Sequence, residues 1–411
     1  MTQQEPLVQT PRPLPLHMAL QTLLWISSAA ALPSLKNGSL PWNPNLRKAG
    51  AALAESLQKV DPEHFRNALE TEAKRRLNAF TKGIDAYHRQ PRNASPLPPP
   101  VVWSEGPVRL YDYGETANGA KNGAPLLIVP SLVNRATILD LSKNKSLLRF
   151  LATKGFRPFL VDWGTPGEAE RCYGLDEYIL GPLQGALEAA VTISGRPAVL
   201  IGYCMGGLLA LASAIRNPQR TAAFCALATP WDFHAGEGAQ TRLLRAMAPQ
   251  FELLLDTLGV LPVDILQAFF TGLSPFASGD KFRRFAAMDK RTTRARDFAA
   301  LEDWINDGVP LAGPVAKDCL FGWYMENKPH EGRWRVGGRC VRPGDLKVPS
   351  LIVLPERDHI VPPASARALA ASTPGSEILS PHAGHIGMVA GSTSTTALFE
   401  PLSQWLETVS G

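Results

Sequence analysis

Ala198-Val199-Leu200-Ile201-Gly202-Tyr203-Cys204-Met205-Gly206-Gly207 decides the reading of this chain. An uninterrupted apolar run leads into a glycine, a thiol side chain, and two further glycines, and helical spacing continues over Gly206–Arg216. This is the G-x-nucleophile-x-G elbow in the setting it requires, a strand, then a sharp turn, then a helix. The residues two before and two after the nucleophile must be small for the chain to pass. The turn lifts Cys204 above the sheet and aims the Met205 N–H at the place where an oxyanion would form. A buried structural cysteine after a glycine-rich turn is the plainer reading of Cys204, and the full context favours the nucleophile.

Outward from the elbow, short apolar or β-branched runs alternate with helical patterns. Strands are expected at Val108–Tyr113, Leu126–Val129, Pro158–Asp162, Ala198–Tyr203, Ala222–Leu227, Ser350–Leu354 and Glu377–Leu379. Helices are expected at Ser146–Lys154, Leu175–Thr192, Gly206–Arg216 and Ala364–Ala371. Alternation of this kind implies an α/β fold whose mostly parallel sheet is covered on both faces. Residues 1–100 read as a helical extension, Leu46–Ala79 being helical with a break at Pro62, followed by the proline-rich linker Gln90–Pro100. The core is expected in two parts, 101–233 and 348–411, separated by a helical cap at 234–347 that is rich in Phe, Leu and Trp. A cap of that size normally lies over the active site and shapes its pocket.

An elbow needs an acid and then a histidine later in the chain. Pro355-Glu356-Arg357-Asp358-His359 follows an expected strand, with Asp358 the favoured acid and Glu356, nearer the strand end, its rival. Ala383-Gly384-His385-Ile386-Gly387 follows the next strand. Gly384 frees that loop to present His385, against the competing His382. A zinc site on His382 and His385 lacks further ligands nearby. The second oxyanion donor is expected from the backbone of Leu132 or Val133, in the loop Pro130-Ser131-Leu132-Val133.

With 411 residues, 45% of them apolar and 19% charged, the chain has room for a large core and is not disordered as a whole. Its 42 Lys and Arg exceed its 37 Asp and Glu by five, too weak a bias over this length to suggest nucleic acid. The five cysteines, Cys172, Cys204, Cys225, Cys319 and Cys340, form no CxxC pair, which argues for reduced thiols in a cytoplasmic protein. Met18–Leu32 is apolar, yet short for a bilayer span and preceded by prolines and a single arginine, Arg12. A helix packed on the protein or on a partner is expected there.

Several ordered blocks together resemble the polyhydroxyalkanoate synthase family, thiol acyltransferases of the α/β-hydrolase fold. They are Val129-Pro130-Ser131-Leu132-Val133-Asn134-Arg135, Ile138-Leu139-Asp140-Leu141, Val161-Asp162-Trp163-Gly164-Thr165-Pro166, Gly202–Gly207, Arg357-Asp358-His359-Ile360-Val361-Pro362 and Gly384-His385-Ile386-Gly387. The last two look most like the short synthases. The resemblance implies polymerisation of (R)-3-hydroxyacyl-CoA with release of CoA, Cys204 accepting the acyl group, His385 as base and Asp358 in support. It also implies acyl-CoA as substrate with no bound cofactor or metal, and a growing polyester chain as product. Implied partners are an accessory synthase subunit, the granule surface and a second copy in a homodimer.

Two other readings compete. The same triad would serve a hydrolase, either an intracellular polyester depolymerase or a thiol esterase, and the apolar cap leans toward transfer because it excludes water. A granule-surface scaffold would use the apolar N-terminal helix and the basic stretch Lys281–Arg296, whose plainer reading is a solvated helix face.

Overall fold

The computed structural model of the chain describes residues 10–92, 98–117, 120–235 and 239–410. Their contacts divide them into two units. One takes the described residues within Met1–Asn93 together with Gln267–Glu302, and the other those within Ala94–Leu266 and Asp303–Gly411. The interval 234–347, expected as a single cap, is therefore shared between the units. Part of the linker Gln90–Pro100, residues 93–97, lies outside the described residues.

The larger unit is built on an eight-stranded sheet. Its strands are β1 (Val101–Glu105), β2 (Val108–Asp112), β3 (Pro125–Val129), β4 (Arg157–Asp162), β5 (Ala198–Tyr203), β6 (Thr221–Leu227), β7 (Ser350–Val353) and β8 (Glu377–Leu379). Their spatial order is β1-β2-β4-β3-β5-β6-β7-β8. The β1–β2 and β2–β4 pairs are antiparallel and the others parallel. β3 and β5 are buried along their whole length, as strands covered on both faces must be. Cys204 follows the carboxyl end of β5, the end of a parallel sheet where ligands bind.

Seven of the strands lie where the apolar runs place them, with boundaries within a residue or so. β1 was not expected: it is an edge strand with exposed and half-buried side chains, so burial does not select its residues. The signal for it is the turn Gly106-Pro107, where Gly106 takes φ +54° and returns the chain into β2. The helix expected over Leu175–Thr192 forms as Leu175–Tyr178 and Gln184–Ser194, joined by a wider π turn at Ile179–Leu183. Pro182 sits inside that turn and has no N–H to give a regular helix.

In the smaller unit the helices Leu14–Ala30, Arg47–Leu57 and Pro62–Arg89 form as the periodicity suggests. No helix among the described residues is long and apolar enough to cross a membrane. Phe80, Tyr87, Phe282, Phe285, Ala295 and Ala299 make this unit's core. A side chain at Gly83 would meet the Phe282 carbonyl oxygen at 2.0 Å, so only glycine lets those helices approach. The basic stretch is largely satisfied from within. Lys281 bonds the buried Glu302 at 2.7 Å, Arg283 reaches Gln21 at 2.8 Å and Arg291 pairs with Asp289 at 3.1 Å.

One buried ion pair fixes the antiparallel edge of the sheet. Arg157, opening β4, meets Asp112, closing β2, at 2.6 Å, with side chains only 9% and 4% exposed. The other Asp112 oxygen accepts from Gly114 N at 2.8 Å. Removing one partner of such a pair strands the other charge in the interior. Asp112→Ala is expected to lower stability by about 3–5 kcal/mol, read as a shifted urea midpoint with unchanged slope.

Candidate active site

The elbow is defined as much by missing side chains as by the one it presents. Cys204 takes φ 56° and ψ −126°, a region that disfavours any residue with a Cβ. It is held there by its own N–H, which donates to Leu227 O on β6 at 2.8 Å, and by its carbonyl, which accepts from Gly207 N at 3.0 Å. A Cβ at Gly202 would lie 2.3 Å from Gly207 Cα, and one at Gly206 would lie 2.1 Å from Val129 O. The small neighbours are therefore forced by backbone passing backbone. Gly207 is equally constrained, since a Cβ there would meet Thr229 Oγ1 at 1.8 Å, a demand the elbow pattern alone does not make.

The candidate acid and base come from the loops after β7 and β8. Asp358 Oδ2 lies 2.7 Å from His385 Nδ1, and both residues are buried. The other oxygen, Oδ1, accepts from Ile360 N and Val361 N, each at 2.8 Å. That carboxylate is aimed by three hydrogen bonds and has little freedom to turn. The two rivals pair with each other instead: Glu356 Oε2 lies 2.7 Å from His382 Nδ1, with side chains 52% and 64% exposed. Sequence spacing left two acids and two histidines, and burial separates them into an interior pair and a surface pair. Among the described residues no cluster of three or more His, Cys, Asp or Glu could hold a metal ion.

The candidate oxyanion donors are also sorted by their neighbours. Val133 N already donates to Ser131 Oγ at 3.2 Å. Met205 N and Leu132 N have no partner among the described residues. One opens the helix Met205–Arg216, directly after the thiol in sequence, and the other lies in the loop after β3.

The α/β hydrolase fold family model matches residues 124–391, which include all of these positions. A poly(3-hydroxyalkanoate) polymerase subunit PhaC from Synechocystis is 30% identical over 320 residues, covering 75% of this chain and 84% of that protein. Another from Allochromatium vinosum is 29% identical over 315 residues, covering 75% of this chain and 88% of the other. The chain belongs to the poly(3-hydroxyalkanoate) polymerase family, acyltransferase-type enzymes of the α/β-hydrolase fold.

In this polymerase-family chain the electrostatics of the histidine are set by burial and by its two neighbours. Burial disfavours the charged ring. Negative charge on Cys204, hydrogen bonds to Asp358 and to Cys204, and the charge of Asp358 outweigh it and hold the His385 pKa up to about 10.

Two tyrosines escaped the sequence reading. Tyr203, the residue before the nucleophile, donates its hydroxyl to the His385 carbonyl at 3.2 Å, and its ring lies 5.2 Å from the imidazole. Burial pushes its phenol well above the usual range, so it remains a donor. Tyr324 is likewise raised, by burial and then by charge on Cys204. It belongs to an aromatic wall with Phe233, 5.0 Å away centre to centre, and Trp323, which stacks on Phe233 at 5.6 Å. The wall is clamped by Asn327, whose Oδ1 accepts from Phe233 N at 2.9 Å while its Nδ2 donates to Asp232 at 2.8 Å. The legible signal was Trp231-Asp232-Phe233 directly after a core strand; its partners lie some ninety residues on, at a distance no spacing rule spans.

Because the folded His385 pKa is raised from 6.5 to about 10, its contribution to stability is complete below about pH 6.5 and fades as pH rises through about 10. Cys204→Ala removes two of the raising influences. Its His385 is expected to titrate lower than in the wild type, followed through the imidazole resonances in NMR, with the alkaline limit of that contribution moving down in step.

Proposed function

We propose that this chain polymerises (R)-3-hydroxyacyl-CoA through a Cys204–His385–Asp358 triad and a covalent acyl-cysteine. The carrying observation is the buried Asp358–His385 pair at 2.7 Å beside a thiol whose charge raises that same histidine. The Cys204 sulfur attacks the thioester carbonyl, and the tetrahedral oxyanion is met by the N–H groups of Met205 and Leu132, each worth about 3 kcal/mol. Collapse breaks the bond to CoA, and the departing sulfur takes its proton from the His385 imidazolium. The neutral ring then takes the proton of a 3-hydroxyl group as that oxygen attacks the acyl-cysteine. An ester bond forms, and the Cys204 thiolate and the imidazolium are restored.

Water would do the same work as a hydroxyl at the acyl-enzyme, so exclusion of water decides between transfer and hydrolysis. The wall of Phe233, Trp323 and Tyr324, whose tyrosine is close enough to be influenced by Cys204, favours transfer. No resident cofactor or metal is required by this scheme. The relatives' names describe a polymerase subunit, which supports work alongside an accessory subunit. A homodimer, a cytoplasmic location and attachment to polyester granules follow from the family reading and belong to the same proposal.

Incubation with 3-hydroxybutyryl-CoA, with and without an accessory subunit, is expected to release CoA and leave a hydroxyacyl mass on Cys204 by peptide mass spectrometry. Free hydroxy acid as the main product, in place of polymer, would transfer the chain to the hydrolases. Asp358→Asn is expected to lower kcat by about 10²- to 10⁴-fold. Glu356→Gln, altering only the exposed pair, is expected to leave the rate unchanged; the opposite ranking would move the triad to Glu356 and His382.

A further inference from the structure

At the opposite end of the nucleophile's helix lies a cavity of about 590 Å³ that the scheme above does not use. It is lined by five cations, Arg216, Arg335, Arg339, Arg342 and Lys347, against one carboxylate, Asp345. Their floor is aliphatic, made by Ala212, Ile215, Val336 and Val341. The helix Met205–Arg216 has 12 residues, so about 18 Å separates its start beside Cys204 from its end at this cavity.

The cations are not neutralised by neighbouring carboxylates. Arg216 donates to Val336 O at 3.0 Å, which anchors the hairpin Arg335–Cys340 to the helix end, while Arg335 donates to Gly338 O at 2.9 Å within the hairpin, and both charges remain uncompensated. Among the described residues none of the five has a carboxylate within ion-pair distance. The carboxylate that does engage the hairpin, Asp176, accepts from Gly337 N at 2.9 Å and does not line the cavity. Five like charges and one opposite leave a net excess of four around a single concavity. Left alone, that arrangement repels itself, and guanidinium forks are the groups that best match phosphate oxygens. The volume falls within the range of small-molecule sites, and a single phosphate would neither fill it nor balance it.

We propose that this cavity is a second binding site, taking an anion with several linked phosphates, its phosphate chain on the arginines and its less polar part on the aliphatic floor. A free nucleoside triphosphate and the phosphate-bearing part of CoA share this chemistry. Occupancy here would report nucleotide or CoA levels to the far end of the helix that carries the nucleophile.

Isothermal titration calorimetry of the full chain with ATP, CoA and tripolyphosphate tests the site. At least one is expected to bind, more weakly as salt rises. The double variant Arg335→Gln, Arg339→Gln is expected to weaken that binding about tenfold or more, and so is the separate pair Arg342→Gln, Lys347→Gln. These residues are exposed, so the variants retain their circular dichroism. Tighter ATP and tripolyphosphate than CoA supports a free nucleotide as the occupant; tighter CoA, weakened by the same variants and kept in Cys204→Ala, supports CoA. No binding at millimolar concentration, or binding that both double variants leave unchanged, overturns the proposal. Neither result depends on turnover at Cys204, so failure of this site and failure of the polymerase scheme are separable.

Discussion

Everything at the active site depends on one disfavoured backbone conformation, the left-handed turn at Cys204. A residue with a Cβ resists that region, and the cost is met only where the surroundings leave no alternative. Here the constraint comes from β6, whose Leu227 carbonyl holds the Cys204 N–H, and from three glycines, two letting backbone slide past backbone and the third making room for the Thr229 side chain. The helix that follows is buried over most of its length, and it therefore cannot swing to relax the turn. The thiol stands clear of the sheet as a consequence of packing, before any catalytic partner is considered.

The partners are then positioned by a different rule. Both loops that carry acid and histidine offer two candidates, and geometry distributes them as one dry pair and one wet pair. Asp358 and His385 face inward, where a hydrogen bond is hard to replace and charge is felt strongly. Glu356 and His382 face solvent, where a similar distance is worth little. Equal separations of 2.7 Å thus carry unequal chemical weight, because the medium around them differs.

Much of this was legible from residues alone, for identifiable reasons. Apolar strands, glycines flanking a candidate nucleophile and the order acid-then-histidine are local or ordinal signals, and they pointed to the elbow at Cys204 and to the Asp358–His385 pair that the fold brings together. Features made by distant segments were not. The Tyr203 hydroxyl bond spans 182 positions and the Asn327 clamp 94, and neither tyrosine nor asparagine announces such a role by spacing. The edge strand β1 was missed because it buries little, and that the Val133 amide is already engaged by Ser131 is a contact no spacing announces. Helices such as Ala277–Ala286, within the expected cap interval, pack their apolar faces with Pro62–Arg89, a pairing that no local pattern marks.

The bond from Tyr203 to the backbone of His385 has a mechanical corollary. The residue directly ahead of the sulfur grips the loop bearing the ring, so thiol and imidazole are tethered to a shared strut. Thermal sway that tilts the end of β5 carries the imidazole with it. The spacing between sulfur and ring is thereby insulated from the breathing of a large sheet, much as two instruments bolted to one bench keep their alignment when the floor moves.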